Sequence, residues 1–281
     1  MQMTVILKNG FLKQQQSLAT SHNGQTVKVL VVNLMPNKLE TERQFAGLFS
    51  KLAVDVELTF ARMATHHSKH TSEADLNRDY VTLADIEDQT FDGMVVTGAP
   101  VEEMTFESVD YWSEFEQLLD WRETHVRRSI LECWAAQAGL YYDFGIKKHP
   151  TSAKLFGVYR CQILTDSPLT KGFKQLSMPQ SRHATLGEID DPDVTVLASD
   201  PEAGPIVLDA AKTASTYVSG HPEYETNTLF NEFHRDRLKG LPIQLPKNYF
   251  SAAIPANTWQ QDSVQLYNNW VAELKRVALE A

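Results

Sequence analysis

The strongest constraint on the fold is an alternation of short apolar runs with longer amphipathic stretches. The first run, residues 27–33, is nearly continuous and rich in β-branched side chains. Such a run is typical of a strand that is buried on both faces of a sheet. A stretch with helical spacing follows it at residues 39–52. Strands that alternate with helices indicate βαβ units, so the sequence predicts an α/β fold with a doubly wound, mostly parallel sheet.

The same pattern continues along the rest of the chain. Further strands are expected at 54–60, 93–96, 129–133, 156–164, 194–198, 206–208 and 216–218, and further helices at 109–126, 134–142, 223–239 and 262–277. Residues 65–80 are polar and predict a long loop, and the Gln-rich stretch 13–25 is the best candidate for disorder. No linker divides the chain, so we expect a single domain over residues 1–281.

Acidic residues outnumber basic ones, and this excess limits the partners of the chain. The 36 Asp and Glu residues against 26 Lys and Arg residues give a formal net charge of −10. A dedicated nucleic-acid binder is usually basic, so this class is not expected. Apolar runs remain shorter than the roughly 18 residues that a membrane-spanning helix needs, so no membrane protein is expected either.

The cysteine content indicates a reducing compartment. The chain has only two cysteines, Cys133 and Cys161. A disulfide scaffold needs many more, and the N-terminal segment lacks the apolar core and cleavage site of a signal peptide. We therefore expect a cytoplasmic protein. Cys161 lies in an alternating strand, where filling the core is its expected role.

The segment around Cys133 has the outline of a nucleophile elbow. A short apolar strand ends at Cys133, and small residues open a helix directly after it. Such a turn exposes a nucleophile, and the N–H of the next residue, Trp134, can point at a developing oxyanion. A helix N-terminus also favours the thiolate form of a cysteine. The alternative is a buried cysteine that only fills the core.

A second segment supplies a general base for such a thiol. His221 follows a predicted strand and a glycine, and Glu223 lies two residues further on. In an extended segment, two such side chains point to the same side, so Glu223 could hold the imidazole in one tautomer. The carboxyl ends of strands gather at one edge of an open α/β sheet, which favours a common site with Cys133. An incidental surface His-x-Glu is the alternative.

Eight short motifs occur in order between residues 27 and 270. They are NLMPNKLETE at 33–42, TGAPVE at 97–102, VDYW at 109–112, CWAAQA at 133–138, KLFGV at 154–158, SRH at 181–183, GHPEY at 220–224 and NYF at 248–250. Each is weak alone, but together they are highly specific. In these motifs the chain resembles the homoserine O-acyltransferase family, the homoserine O-succinyltransferases and O-acetyltransferases of methionine biosynthesis.

The resemblance implies a fold and a reaction. The fold would be like that of the class I glutamine amidotransferases, a flavodoxin-like arrangement. The reaction would be ping-pong acyl transfer, in which Cys133 takes the acyl group from acyl-CoA as a thioester and passes it to the hydroxyl of homoserine. By position, His221 would be the general base and Glu223 its orienting partner.

The resemblance also implies residues that support the reaction. Lys38 matches an active-site lysine whose charge could favour the thiolate or the oxyanion. A solvated lysine is the alternative, although a cation is disfavoured at the start of a helix. Arg235 matches the cation that binds the α-carboxylate of the substrate, since a guanidinium pairs with a carboxylate in a bidentate manner. Lys154 and Ser181 match the other positions that contact the substrate.

Glu102 bears on the identity of the acyl group. In the family, a glycine at this position accompanies succinyl-CoA and a glutamate accompanies acetyl-CoA. A glutamate fills space and repels the free carboxylate of a succinyl group, whereas a glycine leaves room. The resemblance therefore implies acetyl-CoA as the co-substrate.

Departures from the family pattern leave the acceptor open. Asn37 stands where a second lysine is common, Gln180 stands where a histidine is usual, and residues 146–149 also differ. One methylene separates serine from homoserine and is discriminated only about 10- to 200-fold, so L-serine O-acetylation in cysteine biosynthesis is an alternative. A glutamine amidotransferase or other thiol hydrolase on the same fold is a further alternative, and a non-enzymatic binding module would not need the triad.

No permanently bound cofactor and no metal are expected. The histidine-rich segment 66–70 lacks the cysteine or acidic partner that would complete a tetrahedral site, so it is interpreted as a solvated loop. The expected partners are acetyl-CoA and a small hydroxy amino acid, with neither nucleic acid nor membrane. A homodimer is implied only by the family likeness.

Overall fold

The structure, a computed structural model, describes residues 4–15, 26–68 and 71–280, with side chains as far as residue 275. Most of the stretch 13–25, the candidate for disorder, lies outside these residues. None of the helices in the described ranges is both long and apolar enough to cross a membrane.

The described residues include twelve strands and six α-helices. The strands are β1 Val5–Leu7, β2 Val27–Val32, β3 Val56–Ala61, β4 Phe91–Val96, β5 Val126–Glu132, β6 Lys148–Ile163, β7 Gln175–Leu186, β8 Thr195–Asp200, β9 Gly204–Ala210, β10 Ser215–Val218, β11 Phe250–Ser251 and β12 Ile254–Pro255. The helices are α1 Lys38–Phe49, α2 Glu73–Asp79, α3 Trp112–His125, α4 Trp134–Phe144, α5 Thr228–Leu238 and α6 Gln260–Glu280.

Ten of the strands form one twisted sheet in the order β1-β3-β2-β4-β5-β10-β9-β8-β6-β7. The pairings from β1 to β10 are all parallel, and those from β10 to β7 are all antiparallel. The parallel half is the predicted α/β sheet. The antiparallel half extends it, and the β6–β7 hairpin supplies two of the predicted substrate-contacting positions.

Helices cover both faces of the parallel half, as a sheet buried on both faces requires. On one face, Phe49 of α1 and Trp270 of α6 lie in a core cluster that also contains Cys161, which is fully buried as predicted. On the other face, Phe115 of α3 and Leu140 of α4 lie in a second cluster. Both faces of β2, β4 and β5 are therefore shielded from water, which explains their continuous apolar sequences.

Two predicted elements were wrong or incomplete, and one long strand was missed. Residues 65–80 are not only a loop, because they contain α2, whose start is capped by the Ser72 hydroxyl at 3.1 Å from the Asp75 N–H. The helix predicted from 223 begins at Thr228, and residues 221–227 form turns instead. Strand β7 was missed because Pro179 interrupts its pattern. As the last strand of the sheet, β7 can tolerate a proline.

Candidate active site

Cys133 occupies a strained turn between β5 and α4. Its backbone has φ 50° and ψ −114°, a region that residues with a side chain rarely adopt. Its N–H donates to the Val218 carbonyl at 2.8 Å, which ties the turn to the end of β10. The turn therefore has the elbow geometry that the sequence predicts, and it holds the Cys133 thiol in a fixed position.

His221 reaches Cys133 from the neighbouring strand. Strand β10 runs parallel to β5, so both turns leave the same edge of the sheet. The His221 Nδ1 lies 2.9 Å from Glu223 Oε1, and the imidazole also hydrogen-bonds the Cys133 side chain. Cys133, His221 and Glu223 are 6%, 3% and 4% exposed. The structure thus brings the three predicted residues into one buried array.

The charges in this array act on the His221 imidazole. Burial by itself lowers the pKa of His221, since a buried cation loses its hydration. The negative charges of Cys133 and Glu223 and their hydrogen bonds outweigh burial and raise the pKa well above its ordinary value. The arrangement therefore favours the protonated imidazolium form of His221.

Gly98 packs directly against Cys133 and His221. It follows β4 in the TGAP turn, and a Cβ placed on it would lie 3.1 Å from Cys133 Cβ and 3.1 Å from His221 Cε1. Side chains rarely approach this closely. A glycine is therefore needed where the TGAP turn meets the turns that carry Cys133 and His221.

A cleft of about 850 Å³ opens beside the segment that follows Gly98, and Cys133, His221 and Glu223 are not among its lining residues. Residues 100–104, which follow Gly98, form one wall. The other lining residues are Met35, Pro36, Lys38, His66, Ser68, Lys154, His183, Arg235, Asp236, Lys239, Leu241, Pro242 and Ile243. Four predicted site residues, Lys38, Glu102, Lys154 and Arg235, therefore face one space that is large enough for a small amino acid and part of a larger acyl donor.

Arg235 and Lys154 meet at one carboxylate in this cleft. Lys154 Nζ donates to Asp236 Oδ2 at 2.9 Å, and Arg235 Nε donates to Asp236 Oδ1 at 2.8 Å. Lys154 lies on β6 and Arg235 on α5, so Asp236 joins the two elements. Half of the Arg235 side chain is exposed, which leaves its guanidinium accessible to a ligand.

Ser181 connects to the array through two residues that the sequence reasoning missed. Its hydroxyl donates to Glu232 Oε2 at 2.6 Å, and the Tyr224 hydroxyl donates to Glu232 Oε1 at 2.8 Å. The Tyr224 ring stacks on His221, with centroids 4.2 Å apart. Glu232 lies one helical turn before Arg235, a spacing that could have identified it as a partner on the same helix face.

Lys38 begins α1 but points away from solvent. Its Nζ donates to the Asn33 carbonyl at 2.5 Å, and the residue is 6% exposed. Burial and then the charge of Arg62 lower the pKa of Lys38 to about 8, although Glu42 opposes them. Lys38 therefore contributes a cation, or near pH 8 a neutral amine, to the cleft wall beside Met35 and Pro36.

Trp134 contributes to the site only through its backbone. Its indole is fully buried and packs edge-on against Phe115 and Tyr111 in the core. Its N–H belongs to the first residue of α4, and the first N–H groups of a helix have no partner inside the helix. That N–H directly follows Cys133, where the sequence places an oxyanion donor.

Two cations that the sequence reasoning missed lie near the thiol. The negative charge of Cys133 acts on Lys148 of β6 and on Arg182 of β7. Burial lowers the pKa of Arg182 to about 10, and its guanidinium donates to Gln180 Oε1 at 2.7 Å and to the Ala203 carbonyl at 2.7 Å. Both belong to segments that sequence analysis singled out, residues 146–149 and the SRH motif, without a role for the cation.

Lys148 also holds the segment that carries Glu102. Its Nζ donates to the Glu102 carbonyl at 2.6 Å and to the Met104 carbonyl at 2.7 Å, and it lies 4.5 Å from the centre of the Phe106 ring. The Glu102 charge acts on Lys148 as well. Lys148 therefore ties residues 102–104 to β6.

The histidine-rich segment makes surface contacts. His66 Nδ1 lies 2.9 Å from Asp110 Oδ2, and His67 is largely exposed. Residues 69 and 70 lie outside the described part of the chain. Among the residues that the structure does describe, no group of three or more His, Cys, Asp and Glu side chains has the arrangement of a metal site.

The fold of the sheet has counterparts among solved structures. The sheet matches solved structures of glutamine amidotransferases at the level of fold. One is a glutamine amidotransferase from Thermotoga maritima, with a TM-score of 0.59, 12% identity, and coverage of 89% of this chain and 99% of that one. Another is a glutamine amidotransferase from Methylobacillus flagellatus, with a TM-score of 0.56, 11% identity, and coverage of 88% and 95%. The predicted fold class is therefore confirmed.

Sequence comparison defines the family more narrowly. The sequence model of the homoserine O-succinyltransferase family matches residues 2–276. A homoserine O-acetyltransferase of Leuconostoc mesenteroides is 42% identical over 271 residues, 95% of this chain and 88% of the relative. One of Lachnoclostridium phytofermentans is 37% identical over 276 residues, 95% and 92%. The chain belongs to the homoserine O-succinyltransferase family and is, as such, an acyltransferase enzyme. The resemblance predicted from its motifs is confirmed.

Proposed function

We propose that the protein is a homoserine O-acetyltransferase that moves the acetyl group of acetyl-CoA, through a thioester on Cys133, to the side-chain hydroxyl of L-homoserine in methionine biosynthesis. The observation that carries this proposal is the buried Cys133–His221–Glu223 array at the strained turn. Membership of the family and the printed names of the relatives support the substrate class.

In the first half-reaction, the Cys133 thiolate attacks the carbonyl carbon of acetyl-CoA. The negative charge that forms on the carbonyl oxygen is placed to meet the Trp134 N–H. The carbon–sulfur bond to CoA then breaks, and the leaving CoA sulfur takes the proton from the His221 imidazolium. Acetyl-Cys133 and free CoA thiol are the products.

In the second half-reaction, neutral His221 accepts the proton of the homoserine hydroxyl. The resulting oxygen nucleophile attacks the thioester carbonyl, and the Cys133 thiolate leaves as O-acetylhomoserine forms. Glu223 keeps His221 Nδ1 protonated, so the other nitrogen is the one that exchanges protons. The thiolate–imidazolium pair is restored at the end of the cycle.

The cleft offers complementary charges to an amino acid. In this proposal Arg235 and Lys154, which line the cleft, bind the α-carboxylate, and the Glu232 carboxylate, one helical turn before Arg235 and held by Ser181 and Tyr224, binds the ammonium group. Glu102, which also lines the cleft, repels the free carboxylate of a succinyl group. These roles rest on charge and position, and Lys38 joins them as a cleft cation.

The covalent step is tested by intact mass. We expect the protein mixed with acetyl-CoA, without an acceptor, to gain about 42 Da, the mass of an acetyl group replacing a proton on a nucleophile. Cys133→Ala should gain nothing, while the matched control Cys161→Ala should gain the same adduct as the parent. An adduct that survives in Cys133→Ala would contradict the thioester.

The acceptor and the donor are tested by steady-state rates. Release of CoA thiol is followed with homoserine and with serine, and ammonia is followed with glutamine. We expect homoserine to give the highest kcat/KM with acetyl-CoA. A higher value for serine would make the protein a serine O-acetyltransferase, ammonia release from glutamine alone would make it an amidotransferase, and a preference for succinyl-CoA would refute the role of Glu102.

A further inference from the structure

A second carboxyl group lies behind the array that the mechanism uses. Glu132, the last residue of β5, is fully buried, and it pairs in register with Val218 at the end of β10. Its side chain lies within hydrogen-bonding reach of Glu223. Two carboxylates this close in a buried place repel each other strongly, so they cannot both be ionised.

The hydrogen bonds around the two carboxyl groups are incomplete by one proton. Glu132 Oε1 accepts from the Tyr267 hydroxyl at 2.5 Å, and Glu223 Oε1 pairs with His221 Nδ1 at 2.9 Å. The remaining oxygens, Oε2 of each residue, are buried and receive no hydrogen bond from the described groups. Since an ionised carboxylate only accepts, one proton placed between the two residues satisfies both oxygens.

We propose that Glu132 is a protonated carboxylic acid that donates its hydrogen bond to Glu223 and so acts as a positioning residue for the Cys133–His221 pair. This inference rests on the proposed function only in taking Cys133 as the nucleophile. It extends the array to five residues, from Cys133 through His221, Glu223 and Glu132 to Tyr267 on α6.

The surroundings decide which carboxyl carries the proton. Glu223 Oε1 pairs with His221 Nδ1, whereas Glu132 Oε1 accepts from the neutral Tyr267 phenol. Burial and then the charge of Glu223 raise the pKa of Glu132 well above its ordinary value, against the smaller effects of Tyr267 and His221. Burial raises the pKa of Tyr267, so its hydroxyl remains a donor.

The shared proton has a mechanical consequence for the imidazole. A carboxylate held at one oxygen can rotate about its last torsion, but one held at both oxygens cannot. Glu132 fixes the plane of the Glu223 carboxylate, and that plane fixes the tilt of His221 toward the thiol. Tyr224, another titratable group whose pKa is raised by burial and then by the charges of Glu232 and Glu223, stacks on the imidazole and limits the same tilt.

The test compares two replacements of Glu132. In Glu132→Leu the donor is lost at similar volume, and we expect kcat to fall by about tenfold to a hundredfold with KM for acetyl-CoA little changed, the usual size for a lost orienting partner. Glu132→Gln keeps an N–H donor for Glu223 and an oxygen for Tyr267. We therefore expect it to rescue most of that loss at neutral pH.

A pH profile of thiolate alkylation by iodoacetamide separates positioning from simple packing. In the parent, Glu132 ionises as the pH rises and loses its donor, so the reactivity of the ion pair changes along an alkaline limb. In Glu132→Gln, which has no such proton, this limb should move to higher pH. Alkylation needs neither acetyl-CoA nor an acceptor. It therefore measures the reactivity of the Cys133 thiol even if the proposed substrates are wrong.

The results that overturn the inference are definite. Wild-type kcat in Glu132→Leu, or an equal loss in Glu132→Leu and Glu132→Gln, would show that no donor is needed. If Glu132→Leu does not fold, the profile of Glu132→Gln decides, since an unshifted alkaline limb contradicts a titrating Glu132. Tyr267→Phe removes only the donor to Glu132 Oε1. Because that hydrogen bond lowers the pKa of Glu132, we expect this variant to move the alkaline limb to higher pH.

Discussion

At the scale of single residues, Gly98 sets how close the Cys133 thiol and the His221 imidazole can be. It lies against Cys133 and His221 at once, and its φ is negative, so a side chain there meets crowding rather than backbone strain. Crowding of about 3.1 Å on both sides can be relieved only by moving the thiol or the imidazole.

Gly98→Ala tests this wedge. We expect the melting temperature to stay near that of the parent while kcat/KM falls by about tenfold to a hundredfold, because small misplacements of reacting groups cost rates of this size. The matched control is Gly47→Ala in α1, where a Cβ would meet nothing nearer than 3.9 Å. Equal kcat/KM values in the two variants would contradict a role for Gly98 in spacing the thiol and the imidazole.

The site was predictable from sequence only where its residues share a local pattern. Cys133 stands at a visible strand-to-helix turn, and His221 and Glu223 are two residues apart, so local rules brought them together. Lys148 and Arg182 approach the thiol from the β6–β7 hairpin, whose pairing is set by contacts between distant segments. The role of Glu132 could not be identified from sequence for another reason. An acidic residue at the end of a predicted strand looks like any other strand residue until its partners, Glu223 and Tyr267, are known.

At the scale of elements, the segment 100–104 and strand β6 form one unit. Residues 100–104 have little regular structure of their own, and two carbonyl groups in this segment accept from Lys148. The selection attributed to Glu102 needs that side chain to stay in place. The conformation of this wall of the cleft is therefore maintained from β6.

Lys148→Met should relax this selection. We expect the ratio of kcat/KM for acetyl-CoA to that for succinyl-CoA to fall by about tenfold, since the glutamate would no longer be fixed against the longer acyl group. Lys147→Met, at an exposed neighbouring position, is the matched control and should keep the parental ratio. Because the readout is a ratio, a general loss of rate from the missing charge near Cys133 cancels.

The antiparallel extension was the part of the fold least accessible from sequence. The parallel strands are continuous apolar runs, which periodicity identifies well, but β6 and β7 mix charged, polar and proline residues over 16 and 12 positions. Their alternation is hidden because the same residues, Lys154 and Ser181, also line or adjoin the cleft. In β6 and β7, the polar residues at the cleft thus interrupt the alternation of apolar and polar residues that would have identified the strands.

At the scale of the whole molecule, the buried acid makes stability depend on pH. The pKa of Glu132 is raised in the folded protein above its unfolded value near 4.5. Its contribution to stability is therefore complete below that unfolded pKa and is lost as the pH rises toward the folded pKa. Glu132 thus disfavours the folded state increasingly from mildly acidic to alkaline pH.

Thermal melts across pH test this linkage. We expect Glu132→Gln to melt at a higher temperature than the parent at pH 8, because glutamine has no proton to lose, and the difference should shrink as the pH falls toward 4.5. Glu188→Gln, at an acidic position outside the sheet, is the control and should show no such trend. A difference that is the same at every pH would assign the effect to packing alone.

The contact between Tyr267 and Glu132 also bears on the order in which the protein becomes competent. The nucleophile turn and its base come from β5 and β10, but the last hydrogen bond behind them comes from α6, which packs on the sheet through Trp270. A chain emerging from the ribosome presents the thiol long before that helix. Without α6 the carboxyl pair lacks the hydrogen bond from Tyr267, so the array is complete only once the C-terminal helix has packed on the sheet.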